Sequence, residues 1–118
     1  MKRFLVLLAM VIPASAALPA CKTNPKIVAA CYSVHARARA GADTVRIYLW
    51  PVGTKRMLGV AGGPVLDDAI EPILPRNLSL SEGESVYGDF EVCPFTPERK
   101  GDLQLVCIES ATHLVKQR

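Results

Sequence analysis

Four cysteines, two histidines and a basic-aromatic run are the side chains whose type and spacing suggest specialised chemistry. Cys21, Cys31, Cys93 and Cys107 are an even set in a short chain, which reads as two disulfides in an oxidising compartment, with three connectivities open. Spacing selects one of them. Between Cys93 and Cys107 the stretch Pro97-Glu98-Arg99-Lys100-Gly101-Asp102 is a turn signal. A hairpin centred on Lys100 sets Cys93 directly opposite Cys107, within bonding reach at a non-hydrogen-bonded pair. A Cys93–Cys107 bridge is therefore expected, with Cys21–Cys31 as the second. The rival use of the sulfurs is a zinc site from Cys31, His35, Cys93 and Cys107. No CxxC or HxxxH spacing supports it, and thiols oxidise outside the cytosol. No metal or other cofactor is expected.

His35 and His113 are the only imidazoles, and neither sits in G-x-S-x-G, H-E-x-x-H or a comparable context. A nucleophilic device needs a nucleophile, a base and a group that orients the base. Nothing in the spacing assembles those three, so the chain reads as a non-enzyme, with His35 an ordinary half-exposed strand histidine. The sharper feature is Arg37, Arg39, Arg46, Tyr48 and Trp50, joined by His35, which alternation places on one side of a hairpin. Aromatic faces stack on sugars or bases, and arginine pairs with phosphate or carboxylate. The plainer reading is a solvated strand face with Trp50 covering one end of the core. Asn77-Leu78-Ser79 matches a glycosylation acceptor, a tripeptide short enough to arise by chance.

The elements that must carry these residues are strands. From Lys26 to Ala40, Tyr32, Val34, Ala36, Ala38 and Ala40 alternate with Ser33, His35, Arg37 and Arg39. From Thr44 to Trp50, Val45, Ile47 and Leu49 alternate with Arg46, Tyr48 and Trp50. Period two over both runs predicts two half-buried strands around a Gly41-Ala42-Asp43 turn. An even-length loop puts both apolar sets on one face. Val45, Ile47 and Leu49 should then face the core opposite Val34 and Ala36, with Arg46 and Tyr48 more exposed. Pro51-Val52-Gly53 turns the chain into a third strand over 54–61. Residues 64–83, punctuated by Pro72, Pro75 and Gly83, form a long connection with one short helix over 77–81. Strands over 84–95 and 103–115 follow. Three strands, a long connection and two strands fit an all-β domain. The expected form is a small five-stranded antiparallel barrel of the OB type or, failing closure, an open sheet.

The N-terminus reads as an address. Lys2 and Arg3 precede nine apolar residues from Phe4 to Ile12, then Pro13 and Ala14-Ser15-Ala16. That is the three-part secretory signal, with cleavage after Ala16. Nine apolar residues span about 14 Å as a helix, half a bilayer core, so no permanent transmembrane segment is expected. Leu18-Pro19-Ala20-Cys21 also resembles a bacterial lipobox, which would place a lipid on Cys21. The expected organisation is a signal peptide over 1–16, an N-terminal extension over 17–30 and a single β domain over 31–118. The chain's net charge is +3; without Lys2 and Arg3, 12 basic side chains face 11 acidic ones, a net +1. That balance argues against a nucleic-acid binder.

The segments 31–60 and 86–115 carry a resemblance. Within them the most specific pieces are Val52-Gly53-Thr54-Lys55-Arg56 and Tyr87-Gly88-Asp89-Phe90-Glu91-Val92-Cys93-Pro94. The chain resembles a group of small exported proteobacterial proteins whose activity is uncharacterised. The resemblance implies a periplasmic address, or attachment to the envelope if Cys21 is lipidated, and no catalytic residues. Two functions remain open. One is a non-catalytic exported module that binds a partner protein or envelope component. The other is an OB-like binder of an anionic oligomer through Arg37, Arg39, Arg46, Tyr48 and Trp50.

Overall fold

The computed structural model describes residues 21–40, 46–66, 70–81 and 83–117. The expected leader, Val45 and the Gly41 turn lie outside them. A single 3-10 turn, Cys21–Thr23, precedes five strands: β1 Tyr32–Ala40, β2 Ile47–Pro51, β3 Leu58–Val60, β4 Ser85–Pro94 and β5 Gln104–Gln117. They close into a barrel in the order β1-β2-β3-β5-β4. The all-β barrel with a long connection between its third and fourth strands is thus present, and the open sheet is not. The barrel is not wholly antiparallel, because β3 and β5 run parallel. The reason is parity. Strands that alternate up and down cannot close a ring of five, so one neighbouring pair must share a direction.

Alternation decides which side chains fill the ring. Ala36 and Ala38 of β1, Ile47 and Leu49 of β2, and Val86, Phe90 and Val92 of β4 point inward and are buried. Tyr48 and Trp50 of β2 are half-buried on the outside. The expected facing of Ile47 and Leu49 holds, with one correction of register. Ala38 and Ala40, not Val34 and Ala36, lie opposite Leu49 and Ile47. Val34 lies opposite Phe90 of β4, and Ala36 faces Pro51. The segment between the paired Ala40 and Ile47 holds an even number of residues. It therefore shifts the pairing without flipping the faces.

Other expected elements are trimmed by local hydrogen bonds. The third strand starts at Leu58, not residue 54, because Thr54 folds back: its Oγ1 donates to the Pro51 carbonyl (2.9 Å) and accepts from the Arg56 N–H (3.1 Å). The first strand starts at Tyr32, not 26. Asn24 Oδ1 accepts the Lys26 N–H at 2.9 Å, an Asx turn that competes with a ladder. The short helix over 77–81 is absent. A turn closes there through Leu78 N–H to the Pro75 carbonyl (3.0 Å), and Asn77 Nδ2 donates to the Ala111 carbonyl (2.6 Å). Leu78 is buried in the barrel core, with Leu74 and Leu80 packed beside it. The described residues of the connection cover the core without helix or strand.

All four cysteines form two disulfides, but the connectivity differs from the expected one. Cys31 bonds Cys93, and Cys21 bonds Cys107. The β4–β5 hairpin itself is as the spacing predicts, with Cys93 opposite Cys107 and a turn between Arg99 and Asp102. A residue on β4 has neighbours on both sides, however, and hairpin arithmetic sees only the one nearby in sequence. Tyr32 pairs with Val92, so Cys31 falls beside Cys93 with a Cα separation of 4.1 Å. Cys107, left over in the same row, ties down the N-terminal turn through Cys21 at 5.8 Å between Cα atoms. In this structure the Cys21 sulfur is shared with Cys107 and is not free for a lipid thioether.

Gln104 is the one buried polar side chain in the core of the described residues, 5% exposed. Its Oε1 accepts from the Tyr32 hydroxyl (2.8 Å) and from Arg56 Nη2 (2.5 Å), and its Nε2 donates to the Thr96 carbonyl (3.0 Å). Burial pushes the Tyr32 hydroxyl's pKa up, against the opposing pull of Arg56. Replacing Gln104 with Leu leaves three groups short of a partner and should destabilise the barrel by about 1–3 kcal/mol in a urea unfolding experiment.

Candidate functional site

The outer faces of β2, β1 and β4 form one continuous surface, built by register. Arg39 has Tyr48 on one side and Ser85 on the other. One row along, Arg37 lies between Trp50 and Tyr87. The next row holds His35 and Asp89. The Arg37 guanidinium sits over the Trp50 ring, 5.0 Å from its centroid. Tyr48 and Trp50 lie with ring centroids 6.2 Å apart and planes tilted by 46°. Cation–π contact restrains the guanidinium over the ring without using its N–H donors, which suit an oxyanion. Arg37, Tyr48, Trp50 and Tyr87 are half-buried, and Arg39 is exposed. Arg46, just before β2, is half-buried and is engaged by a partner of its own. The structure thus brings Arg37, Arg39, Tyr48 and Trp50 together as sequence alternation expects. It adds Tyr87, which sequence reading missed because β1 and β4 pair across a long chain separation.

A second constellation was also missed. Asp89 bridges the two histidines: His35 Nδ1 lies 2.8 Å from Oδ1 and His113 Nδ1 lies 3.0 Å from Oδ2. The carboxylate can only accept, so each Nδ1 carries the proton. The hydrogen bond from His35, joined by that from His113, holds the Asp89 carboxyl below the usual carboxylate range. His113 reaches Asp89 from a bulge. Between the pairs Tyr87–Val115 and Asp89–Thr112, β4 has one residue and β5 has two. His113 occupies the extra position with φ 54°, the one non-glycine residue with positive φ among the described residues. Opposite it, Gly88 leaves little room for a side chain: a Cβ there would displace Leu114 Cδ2, 2.5 Å away, and crowd the Thr112 carbonyl oxygen at 3.0 Å. A left-handed non-glycine residue costs about 1 kcal/mol or more. The chain therefore carries local strain at the position that aims an imidazole at Asp89.

Chemically, the trio can take up two protons and can present hydrogen-bonding nitrogens outward. No serine, threonine or cysteine side chain is hydrogen-bonded to either imidazole among the described residues. The zinc set considered from sequence has its three sulfurs in disulfides. The same is true of Cys21 and Cys93, whose sulfurs lie within 4.8 Å of each other and of a Glu109 carboxylate oxygen. Beyond the Trp50 end of the surface, the β2–β3 and β4–β5 loops enclose a cleft of about 840 Å³. Its charged lining is Lys55, Arg56, Arg99 and Lys100 against Glu98 and Asp102. Comparison of the chain with family models, with curated proteins and with solved structures finds no match.

Proposed function

We propose that the protein is an exported, non-catalytic binding module whose surface over β2, β1 and β4 holds an anionic oligomer of the cell envelope, an acidic oligosaccharide. The observation that carries this reading is the Arg37 guanidinium stacked over Trp50, with Tyr48 and Tyr87 flanking it. Stacked aromatics suit the apolar faces of sugar rings, and a guanidinium fixed beside them suits a carboxylate or sulfate. The strand order, with β3 beside β5, leads us to read the barrel as OB-like. Such barrels bind oligonucleotides and oligosaccharides on the second and third strands and the adjoining loops. The basic cleft beyond Trp50 lets one extended polyanion continue past the aromatic rings. A net charge of +1 without the leader's basic residues supports an oligosaccharide over nucleic acid.

Support for export comes from the leader pattern of residues 1–16, from the resemblance to exported proteins, and from two disulfides, which persist in oxidising compartments. Among the described residues no helix is long and apolar enough to cross a membrane. The non-catalytic reading is supported by the exposure of both imidazoles, 58% and 80%, which sets them on an open face and not in a cleft.

Trp50 is the chain's only tryptophan, so its fluorescence reports directly on this surface. Titration with dextran sulfate should change the emission saturably, and neutral dextran of equal length should not. Arg37→Ala should weaken dextran sulfate binding about tenfold, the loss of one charge-assisted contact. An equal response to neutral dextran, or none to either, overturns the reading.

A further inference from the structure

We propose that His35, Asp89 and His113 form an acid-gated subsite of this surface, which takes an oxyanion group of the ligand once both imidazoles are protonated. The proposal rests on the binding reading above and adds its regulation. Its basis is which nitrogen faces where. Each imidazole gives its Nδ1–H to Asp89, so in the neutral ring Nε2 is an outward acceptor with no proton. An oxyanion meets a lone pair there and is repelled. Protonation converts both Nε2 atoms into outward N–H donors without disturbing the bonds to Asp89.

Charge changes in the same direction. With neutral imidazoles the trio carries the −1 of Asp89; with both protonated it carries +1. Asp89 does not cancel the change, because the two histidines hold its carboxyl ionised well into acid. Two residues along the same face of β1, about 7 Å away, stands Arg37. The gated charge therefore adjoins the permanent one. The other charged neighbours are already engaged with one another. On β4, Glu91 is bonded to Lys22 of the N-terminal turn at 3.2 Å. On β5, Glu109 accepts the Lys22 backbone N–H at 3.1 Å, and Lys116 faces Glu84 at 3.8 Å. Ser33, Tyr87, Ser110 and Thr112 complete the surroundings. His35 and His113 are the chain's only histidines.

The test uses dextran sulfate, whose sulfate groups keep their charge throughout, at constant ionic strength and at about pH 7.5 and about pH 5.5, spanning the histidine range. Calorimetry should show the wild-type chain binding about fivefold more tightly at the lower pH, as two exposed charges warrant. The His35→Asn/His113→Asn double variant is the decisive control. An asparagine amide can still donate to Asp89, and asparagine tolerates the left-handed backbone at position 113. The variant gains no proton, so its affinity should be the same at both pH values. Should the double variant fail to fold, His35→Asn alone, on a regular strand position, should show a reduced pH response. Equal wild-type affinity at the two pH values overturns the subsite and leaves the Arg37–Trp50 reading standing. A pH response that survives undiminished in the asparagine variants does the same. Absence of binding at both pH values overturns the binding reading and this inference with it.

Discussion

Replacing Cys31 and Cys93 together by alanine is expected to cost about 4 kcal/mol of folding stability, read from denaturant midpoints without reductant. The magnitude follows from how far apart the bonded residues lie along the chain. Cys31 and Cys93 are separated by 62 positions, and Cys21 and Cys107 by 86. Cross-linking removes closure entropy from the unfolded chain in proportion to the logarithm of the loop length, giving about 4–5 kcal/mol for loops of this size against about 3 for a hairpin loop. The connectivity that forms therefore constrains the unfolded chain more than the expected pair of short loops would. A domain of this size has roughly 5–15 kcal/mol in total, so full reduction should leave little folded protein. Tryptic digestion without reductant gives a second readout. The peptide bearing Cys21 should be linked to the one bearing Cys107, and that bearing Cys31 to that bearing Cys93. Recovery of Cys93 linked to Cys107 would overturn the assignment, as would a loss of under 1 kcal/mol on mutation.

That correction shows what the sequence can and cannot disclose. Properties carried by neighbours along the chain were legible. Alternation in Tyr32–Ala40 and Ile47–Trp50 put Arg37, Arg39, Tyr48 and Trp50 on one face. The Pro-Glu-Arg-Lys-Gly-Asp punctuation fixed the β4–β5 turn and the pairing of Cys93 with Cys107. Properties that arise when distant strands meet were not legible. The β1–β4 pairing, which brings Tyr87 to Arg37, Asp89 to His35 and Cys31 to Cys93, has no local signature. The bulges hid the rest. With constant register Asp89 would face Ala111; the extra residues in β5 move Thr112 opposite it and bring His113 within reach. A bulge built on a strained histidine is the opposite of the glycine that turn chemistry favours, so sequence rules point away from it.

Phe90→Ala should be the most damaging single core substitution, at about 4–5 kcal/mol, the upper part of the range for buried aromatic residues. Phe90 is the largest fully buried side chain, 0% exposed, at the centre of β4. Its cross-strand partners are Val34 and Ala111, and Ala36 and Ala38 belong to the same buried cluster. Three members of the cluster that this ring helps to fill are thus alanines. Alanine has no rotamer with which to move into a void, and a closed ring of hydrogen-bonded strands resists collapse, so the cavity should persist. Phe90→Leu keeps most of the volume and should cost roughly 1–2 kcal/mol. If Phe90→Ala cost less than 2 kcal/mol, the ring would not be packed as described. The same alternation that buries Phe90 sends its neighbours Asp89 and Glu91 outward. Below its unfolding midpoint, the Phe90→Leu variant should therefore bind dextran sulfate with unchanged affinity and unchanged pH response. Loss of stability without loss of binding would separate the inward set of β4 from the outward one, and so test the face assignment on which both the Arg37–Trp50 surface and the His35–Asp89–His113 subsite depend.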